Sequence, residues 1–165
     1  MILVSIKARL RAGSIHMAIS AAIALSAMAM IFLAWYPGPL AAAQGVNQLV
    51  LILIGVDVVI GPLITTLIYV PGKWGLRFDL CAIAALQTTA LLYGLEAIHG
   101  GRPAYVVFNV DRFDVVAYQD VNRESLARAP EGLGIHLLGP QTVGAQLPKD
   151  LDAKSEILFS AIAGG

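Results

Sequence analysis

The sequence predicts a membrane α-helical protein. Three transmembrane helices, with the N-terminus inside and the C-terminus outside, lead into a small α+β C-terminal domain. Two observations carry this. Across 165 residues, 58% are hydrophobic and only 13% charged, against about 45–50% and about 25% in an ordinary soluble domain. The charges are also unevenly placed: residues 12–70 contain a single formally charged group, Asp57, and residues 80–101 contain only Glu96. Residues 1–101 hold five basic and three acidic side chains, whereas residues 102–165 hold six and eight. A membrane-like front therefore precedes a mildly acidic, soluble-looking tail. The zero net charge argues against a nucleic-acid partner, which calls for a basic excess. The single cysteine, Cys81, excludes an intramolecular disulfide and a Cys-based zinc site.

The boundaries follow in chain order: a cytoplasmic N-terminus over residues 1–14, a three-helix transmembrane region over 15–101, and the α+β domain over 102–165. Apolar runs at about 15–36, 48–69 and 80–98 each match the roughly 20 residues of helix that cross a bilayer. Lipid offers the backbone no hydrogen bonds, so each run must be helical. Tyr36-Pro37-Gly38-Pro39 ends the first span, Pro71-Gly72-Lys73 the second and Gly100-Gly101-Arg102-Pro103 the third. Lys7, Arg9 and Arg11 precede the first span, the loop 37–47 is uncharged, and the loop 71–79 carries Lys73 and Arg77. The excess of basic residues on the inner side sets the orientation. Trp35 and Tyr36 then fall at one interface, Tyr69 and Trp74 at the other. The first apolar run exceeds the 7–15 residues of a signal-peptide core, so it is expected to stay as an anchor. Cleavage after 40–43, before Gln44, is the alternative.

In the tail, residues 104–108 and 113–118 are rich in β-formers and flank a turn-like Asn109-Val110-Asp111, which predicts a hairpin. Residues 122–129 suit a short capped helix stopped by Pro130, and 135–138 suit a third strand. Residues 148–162 open with Pro148, Asp150 and Asp152, which favour a helix start, with Leu151, Leu158 and Ile162 on one face. About 60 residues is marginal for an independent fold.

Signatures of catalysis are missing: there is no phosphate-binding glycine loop, no H-E-x-x-H and no G-x-S-x-G. His16, His99 and His136 are too dispersed to share a metal and read as ordinary interfacial or surface histidines. The residue that stands out is Asp57, ten residues into the second span and so about 15 Å deep. Ionisable groups at that depth are costly and point to function. Gln87, in the antiparallel third span, falls at similar depth. A carboxyl–amide hydrogen bond between the helices is expected, with Thr65 and Thr88 as other partners. Helix glue or docking of a partner helix is favoured over proton transport, because one carboxyl makes no relay. Pro62 is expected to kink the second span. Ala18, Ala22 and Ser26, four residues apart, form a small face that admits close helix approach, with packing against the other two spans favoured over docking of a separate protein's helix. Arg77 and Asp79 are expected to form a local ion pair, and Glu96 and Arg102 to reach the headgroups.

Several stretches together resemble a known family: Trp35-Tyr36-Pro37-Gly38-Pro39, Gly55-Val56-Asp57 through Gly61-Pro62-Leu63, Leu76-Arg77-Phe78-Asp79-Leu80, the 87–94 part of the third span, and Arg102 through Phe108 followed by Asp111-Arg112-Phe113. Over residues 15–120 the chain resembles the type IV pilin accessory proteins of Gram-negative bacteria. The resemblance implies a multi-pass inner-membrane protein whose tail is periplasmic. Its function would be non-enzymatic, needing no cofactor or metal, and would assist or modulate pilin stability and pilus assembly. The implied partners are type IV pilin, through its transmembrane helix, membrane lipid, and other pilus assembly proteins. The expected contact sites are the face Ala18/Ala22/Ser26 with Asp57, Gln87 and Pro62 in the membrane, and Arg102, Phe108, Asp111, Arg112 and Phe113 in the tail. Two other readings stay open: a small membrane enzyme or transport subunit using Asp57 for protons, and a structural subunit of an envelope complex.

Overall fold

The computed structural model describes residues 2–109, 111–129, 132–146, 148, 150–152 and 155. The chain divides into two compact units, Met1–His99 and Gly100–Gly165.

The first unit is a bundle of three long helices. Helix α1 (Ile2–Ala29) runs on through a π-helical turn, Met30–Trp35. A one-turn helix α2 (Leu40–Ala43) occupies the first loop. The second span is α3 (Val46–Ile54), a π-helical stretch Gly55–Ile60, and α4 (Gly61–Ile68). The third is α5 (Leu76–Gly100). The segments long and apolar enough to cross a membrane are Ile6–Trp35, Val46–Ile68 and Leu76–Gly100. All three exceed the expected runs, because helices do not stop where apolarity stops. Lys7, Arg9 and Arg11 ride on the opening turns of α1, since Lys and Arg are good helix formers whose stems lie along apolar surface.

Prolines and glycines close the spans as expected. At the end of the first, the Tyr36 N–H donates to Ile31 O across five residues, at 2.8 Å, and Gly38 turns the chain at φ 65°. The Tyr36 hydroxyl then donates to Ile98 O at 2.8 Å. That carbonyl lies in the last turn of α5, where it has no partner further along the helix. Around this junction sits the core: Ile31, Tyr36, Ala41, Val46, Val50 and Ile98. The Trp35 ring meets His99 edge-on, with centroids 5.0 Å apart.

Burial alone gives little cohesion in lipid, so helices associate through close packing and polar contacts. Three glycines mark the places of approach. A Cβ on Gly13 would strike Thr66, one on Gly61 would strike the Gln87 amide, and one on Gly94 would lie 2.6 Å from Leu53. Helices α1 and α4 pack most intimately, and α5 stands further off. At the start of α5 the expected pairing of Arg77 with Asp79 gives way to Lys73, whose Nζ lies 2.6 Å from Asp79 Oδ2. Residues 77 and 79 point apart on a helix, whereas the turn preceding α5 brings Lys73 back over its first turn.

The second unit is a three-stranded sheet in the order β2-β1-β3. Strands β1 (Pro103–Asn109) and β2 (Arg112–Ala117) form the expected antiparallel hairpin. A 3-10 turn, Tyr118–Asp120, leads to helix α6 (Arg123–Ala127). The Asn122 side chain caps α6 by accepting from the N–H groups of Glu124 and Ser125. Strand β3 (Gln141–Gly144) runs parallel to β1. The third strand therefore lies after residues 135–138, which form a loop with Leu137 and Leu138 exposed. Most of the expected helix over 148–162, including Leu158 and Ile162, lies outside the described residues.

Candidate functional site

The centre of the bundle is organised by what Pro62 lacks. In the π-helical stretch each N–H reaches back five residues, and the Gly61 N–H accordingly donates to Val56 O. The next donor in that register would serve the Asp57 carbonyl, but residue 62 is proline and has no N–H. The third span supplies the missing donor: Gln87 Nε2 donates to Asp57 O at 3.1 Å. Gly61 makes room, because any side chain there would collide with the Gln87 amide. Asp57, Gly61, Pro62 and Gln87 thus form one interlocking unit. The expected link between Asp57 and Gln87 is present, but through the main-chain carbonyl of residue 57.

The Asp57 side chain is buried, 7% exposed. Its Oδ1 and the Gln87 Oε1 have no hydrogen-bond partner among the described residues. Both residues line a cavity of about 140 Å³ together with His16, Ser20 and Thr88. Such a volume holds a few waters, at about 30 Å³ each. Two turns beyond Asp57 on the same helical face, Thr65 is buried and its Oγ1 lies 2.6 Å from His16 Nδ1. The sequence reads His16 as an ordinary interfacial side chain; in the fold it also joins α1 to α4 beside the cavity. The signal was its four-residue spacing from Ser20, the polar pair on an otherwise apolar stretch.

The small face of α1 is separate from this centre. Ala18, Ala22 and Ser26 are exposed, and the Ser26 hydroxyl is turned back to Ala22 O at 2.9 Å. The packed side of the first span is Gly13, Ser20, Ala24 and Ala27 of α1 and Ile31 of the π-helical turn. Ala18, Ala22 and Ser26 are therefore left free by the fold of the bundle, whereas Asp57 and Pro62 are enclosed by it.

In the second unit the hairpin tip exposes Phe108 and Phe113, whose ring centroids lie 5.1 Å apart. Asp111 and Arg112 are exposed beside them, with Arg112 Nε 3.8 Å from Asp114. Arg102 is different. It is 3% exposed, donates to His136 O at 2.7 Å, and lies 4.5 Å from the centre of the Tyr118 ring. It offers little surface: the Tyr118 ring covers one face of the guanidinium and Nη1 is engaged, while the buried Nε has no partner among the described residues. Among the described residues, no group of three or more His, Cys, Asp or Glu side chains is placed to hold a metal ion.

The profile of the family described as "Fimbrial assembly protein FimB" matches residues 4–45, the first span with its Trp-Tyr-Pro-Gly-Pro turn. The fimbrial assembly protein of Dichelobacter nodosus serogroups C1 and C2 is 31% identical over 119 residues, which is 71% of this chain and 91% of that relative. The chain belongs to the fimbrial assembly protein family. Two longer members from the same organism, of serogroups I and E1, are 30% and 29% identical over 155 residues, or 92% of this chain. This family member spans about 60% of their length. No solved structure matches the chain. In this fimbrial assembly protein, the carbonyl of residue 57 and its donor at 87 form a polar link between the second and third spans.

Proposed function

We propose that this chain is a non-enzymatic accessory protein of the bacterial inner membrane that serves type IV pilin, acting on its stability or its entry into the pilus. The observation that carries this reading is similarity to fimbrial assembly proteins along 92% of the chain, and so through all three spans and into the tail. The distribution of Lys and Arg supports an N-terminus in the cytoplasm and a periplasmic tail over residues 102–165. The bundle would then meet pilin through the exposed face Ala18/Ala22/Ser26, with the hairpin tip at Phe108, Asp111, Arg112 and Phe113 meeting its periplasmic base. Asp57, Gln87 and Pro62 hold the bundle in the shape that presents this face. Other pilus assembly proteins are further partners.

Deleting the gene should reduce surface pili or twitching; unchanged piliation and motility would overturn the reading. The contact is tested by replacing the exposed Ala22 with Leu. Co-purification of pilin should fall while the protein stays in the membrane at normal abundance. If cysteines at position 22 fail to cross-link to pilin while one at Phe113 succeeds, recognition belongs to the tail and the bundle is an anchor.

A further inference from the structure

Near its N-terminal end the bundle is open between its first and third helices. Helix α1 follows α4 closely here, with Gly13 seated on Thr66. Helix α5 is joined to the others further along, through the Gln87 side chain and the Ile98 carbonyl. Between them lies a groove of about 840 Å³. Ile15 and Ile19 of α1 form one wall, Leu80 and Ala84 of α5 the other, and Lys7 and Arg11 stand at the mouth.

The two cations are four residues apart, so they lie on one helix face a single turn from each other. Both are exposed, and among the described residues neither has a carboxylate partner. An apolar slot topped by two unneutralised cations at the level where a membrane helix enters the headgroups is complementary to an amphiphile with an anionic head. Basic pockets between transmembrane helices bind anionic lipid headgroups in this way. Charge separates this occupant from a further helix: an apolar helix would leave the two cations unmatched, whereas a lipid brings an anionic head to Lys7 and Arg11 and an acyl chain, far thinner than a helix about 10 Å across, to the Ile15–Ile19 wall.

We propose that the groove between α1 and α5 is a binding site for one anionic glycerophospholipid, its phosphate held by Lys7 and Arg11 and an acyl chain laid along Ile15, Ile19, Leu80 and Ala84. The site does not depend on the pilin reading; it requires only that the chain span a membrane. Bound lipid would close the open side of the bundle and hold α5 at its distance from α1.

Native mass spectrometry of the full chain, delipidated in neutral detergent, tests it by counting bound lipid against added phosphatidylglycerol, phosphatidylethanolamine or inorganic phosphate. Phosphatidylglycerol should bind saturably at one copy. The Lys7→Gln/Arg11→Gln double variant should bind it roughly 30-fold more weakly, the worth of two basic residues near an anionic headgroup. A Lys73→Gln/Arg77→Gln variant should bind as the parent does. Filling the slot with Ala84→Trp should also weaken binding while leaving both cations in place. Equal binding of phosphatidylethanolamine, unchanged binding by the Lys7/Arg11 variant, or tight binding of inorganic phosphate alone would overturn the proposal. So would efficient protein cross-linking in membranes through Ala84→Cys, in a Cys81→Ser background, with no phosphatidylglycerol retained on purification, because a partner helix would then be the occupant.

Discussion

At residue 57 the carboxylate draws attention in the sequence, but the carbonyl does the joining. The depth match of Asp57 and Gln87 follows from counting along two antiparallel helices. Which oxygen Gln87 reaches does not, because it depends on a π-helical register that leaves no periodic trace. Gln87→Met removes the donor at constant size and should destabilise the bundle by about 1 kcal/mol, the usual worth of a hydrogen bond in a membrane protein. Pro62→Ala restores a main-chain N–H to the helix, so the same Gln87→Met change should cost less in that background. A double-mutant cycle on unfolding in detergent measures the coupling; strictly additive effects would show that Gln87 does not substitute for the missing N–H. Gly61→Ala should be more damaging, at about 1–3 kcal/mol of overpacking, and combining it with Gln87→Ala should recover part of the loss, because the colliding amide is gone. The Asp57 side chain has its own test. Asp57→Asn keeps a polar group toward the cavity and should be mild, whereas Asp57→Leu should lower abundance. Loss of piliation by both at normal abundance would point instead to the carboxylate itself and to proton handling.

Among the elements, the three spans were legible because twenty-residue apolar runs broken by Pro-Gly pairs have few other solutions. The hairpin was legible for a similar reason, its β-rich runs being separated by a short polar turn. The third strand was not. Residues 135–138 hold the more apolar sequence, yet the sheet takes Gln141–Gly144, which follow Gly139-Pro140 and pair with the free edge of β1 from Tyr105 onward. Edge pairing is a matter of where the chain arrives, and a local pattern does not encode it. Arg102 shows the same limit, since only the folded unit brings His136 O and the Tyr118 ring to it. The join between the first and third spans is open to experiment. The Tyr36 hydroxyl on Ile98 O satisfies a carbonyl near the end of α5, so Tyr36→Phe should cost about 1 kcal/mol. It should also speed amide hydrogen exchange at the end of α5, leaving the middle of that helix unchanged. Equal exchange throughout α5 would show that the hydroxyl does not secure this end. In the second unit, Asn122→Ala should lower its stability by about 1 kcal/mol through loss of the α6 cap, read as earlier proteolysis within residues 122–129 of the full chain.

For the molecule as a whole, three crossings place the loop at Gly72 and the tail on opposite sides of the membrane, so one choice of side fixes the rest. That choice rests on five basic residues. Lys7, Arg9 and Arg11 lie at the start of the first span, Lys73 and Arg77 between the second and third, and the loop 37–47 carries no charge. Both basic clusters fall on one side, five residues in all, against Arg102 and Arg112 within about 15 residues of the third span on the other, which is the asymmetry that retains a loop in the cytoplasm. Acidic residues count for little in this balance, so the acidic excess of residues 102–165 does not oppose it. The side also bears on the proposed contact, because the hairpin tip can meet the periplasmic base of pilin only from a periplasmic tail. A reporter enzyme that is active only in the periplasm should be silent when fused at Gly72 and active when fused after Gly165. Activity at Gly72 with silence after Gly165 would reverse the orientation and remove the hairpin tip from the proposed contact. The charge argument predicts a second effect. Changing Lys7, Arg9 and Arg11 to Gln should produce a mixed population in the Gly165 fusion, because only Lys73 and Arg77 would then hold their side. A uniformly active fusion in that variant would show that the second loop alone is sufficient.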